Sequence, residues 1–187
     1  MNLQKLISDS HAMAASKGFW QDIDKPWMRD QALALIISEL GEALEAHRKG
    51  KRARLDNYLE DLPKIGFEQS FKDFIKDSLE DEMADTCIRI FDLAGAYGSN
   101  PDKIDYYLHK ELDAMKHLPI ENVPQNLFYI MRSVSDYRFI GFKQQALGES
   151  LGKIQHLANK MNFNLLWHIE KKMQYNSTRP FKHGKQF

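Results

Sequence analysis

The chain has 187 residues, with 26 basic and 26 acidic side chains, and its length suits one domain or one domain with a sizeable insertion. Because these charges balance, no global field favours binding to a nucleic acid polymer or to an anionic membrane. The single cysteine, Cys87, excludes an internal disulfide framework, and no window approaches the roughly 20 apolar residues of a membrane-spanning helix. The N-terminal residues lack the apolar segment of a secretion signal, so we expect a cytoplasmic protein.

Apolar residues recur at helical spacing along the chain, and no segment shows the sustained alternation of a strand. The helices predicted from this pattern cover about residues 2–17, 27–49, 102–117, 123–137, 143–161 and 164–179, with a further helix that starts near Phe71 or Asp77 and ends at about Tyr97. Pro63 and Gly66 interrupt the segment 55–76, which we expect to be a loop with short helical pieces. The sequence therefore predicts an all-α protein, with an irregular basic segment after Pro180.

Two pairs of acidic residues lie in predicted helices that are otherwise rich in apolar side chains. Glu39 and Glu42 follow the apolar run 32–37, and Glu82 and Asp85 lead into a second apolar segment. Each pair is spaced i, i+3, so both of its carboxylates lie on one face of the helix. Buried carboxylates are costly unless a cation or hydrogen-bond donors neutralise them. Four acids on two helices therefore indicate a metal site.

All ligand atoms at this site would be carboxylate oxygens. Such ligands favour Mg²⁺, with Mn²⁺ as a substitute, over zinc or copper. A di-iron bundle would need a Glu-x-x-His motif, and Asp85 stands where that histidine would be. The alternative is an ordinary amphipathic helix, since Glu82, Asp85, Arg89 and Asp92 form one polar stripe that would then face water. The pattern alone leaves both interpretations open.

A group of hydrogen-bond donors near the C-terminus is suited to phosphate oxygens. Lys172 and Asn176 are spaced i, i+4 on the last predicted helix, and Arg179 and Lys182 follow. Lysine supplies a point charge and arginine a planar fork, and both bind phosphate. The alternative interpretation is a solvated basic tail.

The order of these motifs resembles that of the MazG-like, all-α nucleoside triphosphate pyrophosphohydrolases, a superfamily that includes dimeric dUTPases and dCTP pyrophosphatases. The family pattern is Glu-Glu-x-x-Glu on one helix and Glu-x-x-Asp on the next, and here these segments read Ser38-Glu39-Leu40-Gly41-Glu42 and Glu82-Met83-Ala84-Asp85. Gly18-Phe19-Trp20 and the closing segment from Lys172 to Lys185 are also similar to family members. The resemblance covers about residues 10–54, 77–98 and 157–187.

The resemblance implies a single domain over residues 1–187 with a four-helix-bundle core. It implies Mg²⁺-dependent hydrolysis of a (deoxy)nucleoside triphosphate to the monophosphate and pyrophosphate, in a homodimer or homotetramer. The implied metal ligands are Glu39, Glu42, Glu82 and Asp85, and either Glu39 or Glu82 would be the catalytic base. The implied substrate contacts are Lys172, Asn176 and Arg179 for the phosphates and Trp20, with Phe19, for the base.

The chain departs from the family pattern at three places. Ser38 replaces the first glutamate, and the segment 55–76 is inserted between the two acidic helices. A second insertion at about residues 99–156 is expected to form a helical hairpin or a small subdomain. Two other functions stay open: a non-catalytic nucleotide- or partner-binding module on the same scaffold, and a purely structural bundle.

Overall fold

The computed structural model of the chain describes residues 2–120, 122–138 and 143–184, except for the side chains of residues 182 and 183. Regular secondary structure in these ranges is helical throughout, which confirms the all-α prediction. The α-helices are α1 Leu3–Ser16, α2 Met28–Arg48, α3 Leu55–Ile65, α4 Phe67–Phe74, α5 Leu79–Ala96, α6 Pro101–Met115, α7 Val123–Ser135, α8 Lys143–Lys160 and α9 Leu165–Thr178. None of these helices is long and apolar enough to cross a membrane.

Side-chain caps determine where the two helices that carry most of the candidate site begin. Ser78 accepts a hydrogen bond of 3.2 Å from the backbone N–H of Asp81 and starts α5. Asn164 accepts one of 3.0 Å from the backbone N–H of Trp167 and starts α9. Such caps satisfy N–H groups that have no partner inside the helix. Helix α5 begins at Leu79, close to Asp77, the later of the two starting positions predicted from the sequence.

Helix α5 lies at the centre of the fold. Helices α1, α2 and α9 pack against it, and α8 also contacts it. Its apolar side chains are buried on most of its circumference, including Leu79, Met83, Cys87 and Ile90. Polar groups on the same helix therefore lie inside the protein, where they must be neutralised by neighbouring helices.

The segment 55–76 is more regular than the sequence predicted. It forms two helices, α3 and α4, that pack against each other and meet at Gly66, whose φ is 78°. Tyr58 and Phe71 are buried in a small second core, and Phe71 stacks on Tyr175 of α9 with 4.6 Å between the ring centroids. The expected short helical pieces are present, and they extend over most of the segment because aromatic residues at helical spacing gain buried contacts with α9. Pro63 lies inside α3, near its C-terminal end.

The segment 99–156 contributes to the main core. Ile104 of α6, Leu127 of α7 and Ile154 of α8 belong to the same cluster of buried residues as the apolar side of α5. Helix α8 packs along α6 and α7, and α7 also packs against α2. Of the expected irregular tail, Phe181–Gly184 forms a short 3₁₀ helix, and residues 185–187 lie outside the described residues.

Candidate metal and nucleotide site

Three of the four predicted metal ligands converge where α2 packs against α5. One carboxylate oxygen each of Glu39, Glu42 and Glu82 lies within 4.8 Å of the other two. Glu39 and Glu82 are buried, with 5% and 3% of their surface exposed, whereas Glu42 is exposed. The site is therefore open to solvent on the side of Glu42 and closed on the side of α5.

The spacing and the chemistry of these oxygens fit a hard divalent cation. Mg²⁺ binds oxygens at about 2.1 Å, so ligands on opposite sides of one ion lie about 4 Å apart. Among the described residues, neither Glu42 nor Glu82 has a hydrogen-bond or ion-pair partner for its carboxylate. Burial raises the pKa of Glu82 to about 9, with Lys172 opposing and the neighbouring acids reinforcing the shift. A cation bound here would remove that cost of ionisation.

Arg89 reaches the same site from α5. Its Nε donates a hydrogen bond of 2.5 Å to Oε1 of Glu39, and the two side chains form an ion pair. Burial and the charge of Asp85 raise the pKa of Glu39, while Arg89 opposes the increase. One of the acids in the cluster is thus already balanced by a protein cation.

Asp85 is held by α9. Lys172 Nζ lies 3.1 Å from Oδ2 of Asp85 and 2.7 Å from Oδ2 of Asp81. Asn176 donates a hydrogen bond of 3.4 Å to Oδ1 of Asp85. Burial opposes ionisation of Asp85, but the charges of Lys172 and Arg89 outweigh it and lower the pKa of that carboxyl. Lys172 is only 4% exposed and its pKa is raised, because the three carboxylates near it outweigh the effect of burial.

A cleft of about 790 Å³, including its open mouth, runs beside the acidic cluster between α1, α2, α5 and α9. Its lining includes five predicted site residues, Asp85, Asn176, Arg179, Trp20 and Phe19, together with Arg89 and Asp92. The buried Oδ1 of Asn176 has no hydrogen-bond partner among the described residues. The side chain of Arg179 forms no hydrogen bond or ion pair with the described part of the chain. Both groups are therefore free to bind a polar ligand.

The segment after α9 is positioned at the mouth of this cleft by the end of α1. Lys17 Nζ donates hydrogen bonds to the backbone oxygens of Ser177, at 3.0 Å, and of Arg179, at 2.5 Å. The ring of Phe181 lies so close to Gly18 that a Cβ at that glycine would be 2.2 Å from it. Gly18 also has a φ of +83°, which L side chains rarely adopt. These contacts explain how Arg179 comes to line the cleft.

The end of the cleft away from the acidic cluster is formed by Trp20 and Asp92. Trp20 Nε1 donates a hydrogen bond of 2.7 Å to Oδ1 of Asp92, and His11 Nδ1 lies 3.0 Å from the same oxygen. Burial raises the pKa of Asp92, and the two hydrogen bonds oppose that increase. The close approach of α1 that makes this possible depends on Gly95, where a Cβ would lie 2.5 Å from that of His11.

The sequence-predicted residues thus fall into three groups. Glu39, Glu42 and Glu82 come together, and Asp85, Asn176, Arg179 and Trp20 line the adjacent cleft. Lys172 is not in the lining, because its ammonium group is taken up by Asp81 and Asp85. Asp81 was missed as a partner in the site. Arg89 and Asp92 could have been predicted from the sequence as site residues, since they lie on the same polar stripe of the helix as Glu82 and Asp85.

Comparison of the chain with protein-family models, with curated proteins and with solved structures gives no match.

Proposed function

We propose that the protein is a nucleoside triphosphate pyrophosphohydrolase that uses Mg²⁺, or Mn²⁺ in its place. The observation that carries this proposal is the convergence of Glu39, Glu42 and Glu82 from two helices beside a cleft with free phosphate-binding groups. The sequence resemblance to the MazG-like superfamily also supports it. Within the proposal, α1, α2, α5 and α9 are the counterparts of the family's four-helix core, and the active form is a homodimer or homotetramer.

The metal would be held by Glu39, Glu42 and Glu82, with Asp85 as the fourth acid at the edge of the cleft. When bound, the ion would neutralise phosphate charge and acidify the attacking water. Asp85 is kept ionised by Lys172 and oriented by Asn176, so Lys172 acts as a positioning residue in this scheme. This role differs from the direct phosphate contact that the sequence suggested.

Glu82 is the better candidate for the general base. Glu39 is engaged by Arg89, whereas Glu82 has no hydrogen-bond partner among the described residues. With a metal ion bound, Glu82 would be ionised, and its carboxylate would be able to accept a proton from water. The water oxygen would bond to the α-phosphorus, the bond from that phosphorus to the bridging oxygen would break, and pyrophosphate would leave with the electron pair.

The cationic side chains of the cleft would bind the phosphate oxygens. Arg179 is free to form a two-pronged contact with them, which suits an arginine better than a lysine. The unpartnered Oδ1 of Asn176 would accept a hydrogen bond from a sugar hydroxyl or a water. The guanidinium group of Arg179 would stabilise the negative charge that develops as pyrophosphate leaves.

The experiment that tests the proposal separates pyrophosphate from orthophosphate after incubation with a panel of nucleoside triphosphates and Mg²⁺. Equimolar monophosphate and pyrophosphate, with no product after chelation of the metal, is the expected result. A second candidate function is a non-catalytic nucleotide-binding module, and the ion pair between Arg89 and Glu39 favours it because it already neutralises one acid. Saturable binding of a non-hydrolysable triphosphate without any product release from the natural substrates would select that second function.

A further inference from the structure

The cleft has a second polar group two helical turns away from Asp85. Asp92 follows Asp85 by seven residues on α5, so the two side chains lie on the same face and about 10 Å apart along the helix axis. Both residues line the cleft. A nucleotide whose phosphates lie against Asp85, Asn176 and Arg179 would therefore reach Asp92 with its base.

The carboxylate of Asp92 is fixed with one oxygen occupied and the other available. Trp20 and His11 both direct a ring nitrogen at Oδ1, at 2.7 and 3.0 Å. Oδ2 has no hydrogen-bond or ion-pair partner among the described residues. The side chain of Asp92 is 17% exposed, so this oxygen is accessible from the cleft. It presents an acceptor at a fixed position.

Trp20 supplies a flat apolar surface next to this acceptor. Its indole is held by the hydrogen bond to Asp92 and by edge-to-face contacts with His11 and Tyr97, at centroid distances of 5.8 and 6.0 Å. A ring held on three sides loses little freedom when a base stacks on it. An aromatic surface beside a single fixed acceptor is suited to a planar ring with an amino group at its edge.

Resting on the proposed function, we propose that Asp92 selects the base: the site accepts nucleotides of cytosine, adenine or guanine and rejects those of uracil and thymine. Cytosine, adenine and guanine each carry an exocyclic amine that donates to a carboxylate oxygen. Uracil and thymine place a carbonyl oxygen at the corresponding edge, where it meets another acceptor and leaves both unsatisfied. Asp92 is thus a specificity-determining residue that acts on the substrate directly.

The test compares kcat/KM for pyrophosphate release from dCTP, dATP and dGTP with the values for dUTP and dTTP. We expect at least one amine-bearing substrate to exceed both dUTP and dTTP by about 10-fold or more, the size of one charge-assisted hydrogen bond. Asp92→Asn keeps an oxygen for Trp20 and His11 and presents an amide N–H to the cleft. That variant should lower the ratio of dCTP to dUTP by about 10-fold, whereas Asp105→Asn on the exposed face of α6 should leave it unchanged.

Three results would overturn the inference and leave the proposed function standing: turnover of dCTP, dATP and dGTP that is equal to that of dUTP and dTTP, a preference for uracil or thymine, and an unchanged preference in folded Asp92→Asn. A preference for uracil or thymine would mean that Asp92 accepts a hydrogen bond from the ring N3–H or, when protonated, donates one to a carbonyl oxygen. If no triphosphate is cleaved, the proposed function fails. The base preference is then measured from the binding of the α,β-imido analogues of dCTP and dUTP, where equal affinity overturns it. Circular dichroism shows whether Asp92→Asn folds. If it does not fold, the inference is tested by the wild-type kcat/KM values for the amine-bearing substrates relative to dUTP and dTTP.

Discussion

Arg89 on α5 donates a hydrogen bond of 2.5 Å to Glu39 on α2, and the same arginine lines the cleft. The contact joins the two helices that carry the acidic pairs. It also means that the protein supplies a cation of its own at a site whose chemistry suits Mg²⁺. In the proposed scheme, the metal and Arg89 share Glu39, and the strength of that ion pair sets how readily the metal binds.

Replacing Arg89 with methionine should therefore weaken the metal-free protein and strengthen its response to metal. Removing one partner of a buried ion pair costs about 3–5 kcal/mol, because the remaining charge is left unpaired. Differential scanning fluorimetry with and without Mg²⁺ should show a lower melting temperature without the ion and a larger rise with it. Arg48→Met, which removes an exposed partner of Glu45, is the matched control and should leave the melting temperature nearly unchanged. The same rise with Mg²⁺ in Arg89→Met and wild type would contradict this account.

Replacing Glu82 with glutamine should separate the proposed catalytic role of this residue from any structural one. Turnover should fall by roughly 100-fold or more, since one electrostatic group at the reacting centre is lost. The metal-free protein should not be destabilised at neutral pH, because a carboxyl with a pKa of about 9 is already protonated there.

The pH dependence of stability provides a second measurement on the same variant. The unfolded state releases the Glu82 proton near pH 4.5 and the folded state near pH 9, so this group makes the unfolding free energy fall as pH rises between those values. Urea titrations across that range should show a flatter decline for Glu82→Gln than for wild type. Parallel declines in the variant and wild type would show that Glu82 is ionised in the metal-free protein.

Replacing Lys172 with methionine should lower the free energy of unfolding. Its effect on substrate binding should be small, because Lys172 contacts Asp81 and Asp85 and not the substrate in this account. Asp81 and Asp85 would lose the ammonium group at 2.7 and 3.1 Å, which corresponds to about 3–5 kcal/mol for a broken buried pair. Chemical denaturation should show this loss, and Lys171→Met at the neighbouring, less buried position should not. An unchanged unfolding free energy together with a raised KM would instead place Lys172 in contact with the phosphates.

The buried His168 of α9 should make the protein lose stability in mild acid. Burial lowers its pKa to about 4, so on acidification the unfolded state takes up the proton near pH 6.5, before the folded state does. Its contribution is therefore complete above pH 6.5 and is lost between pH 6.5 and 4, by up to about 3 kcal/mol. His168→Phe should flatten the unfolding free energy over this range, whereas His109→Phe on the exposed face of α6 should not. Parallel pH profiles for wild type and His168→Phe would disprove the assignment.

The helices could be predicted from the sequence because their buried faces repeat at helical spacing and their ends carry caps such as Ser78 and Asn164. The acidic pairs could be found for the same reason, since i, i+3 spacing places two carboxylates on one face whatever that face contacts. The partners of those carboxylates could not be predicted. Lys172 was assigned to phosphate because its residue type suits phosphate, but the packing of α9 on α5 directs it to Asp81 and Asp85.

The most direct test of the central claim is the identity of the phosphate product. Purified protein incubated with Mg²⁺ and each of the common nucleoside triphosphates should release pyrophosphate and monophosphate in equal amounts from at least one of them. Chelation of the metal and the Glu82→Gln substitution should each abolish that release. Folded protein that produces no pyrophosphate with any of these substrates, or that releases orthophosphate and leaves a diphosphate, would contradict the account.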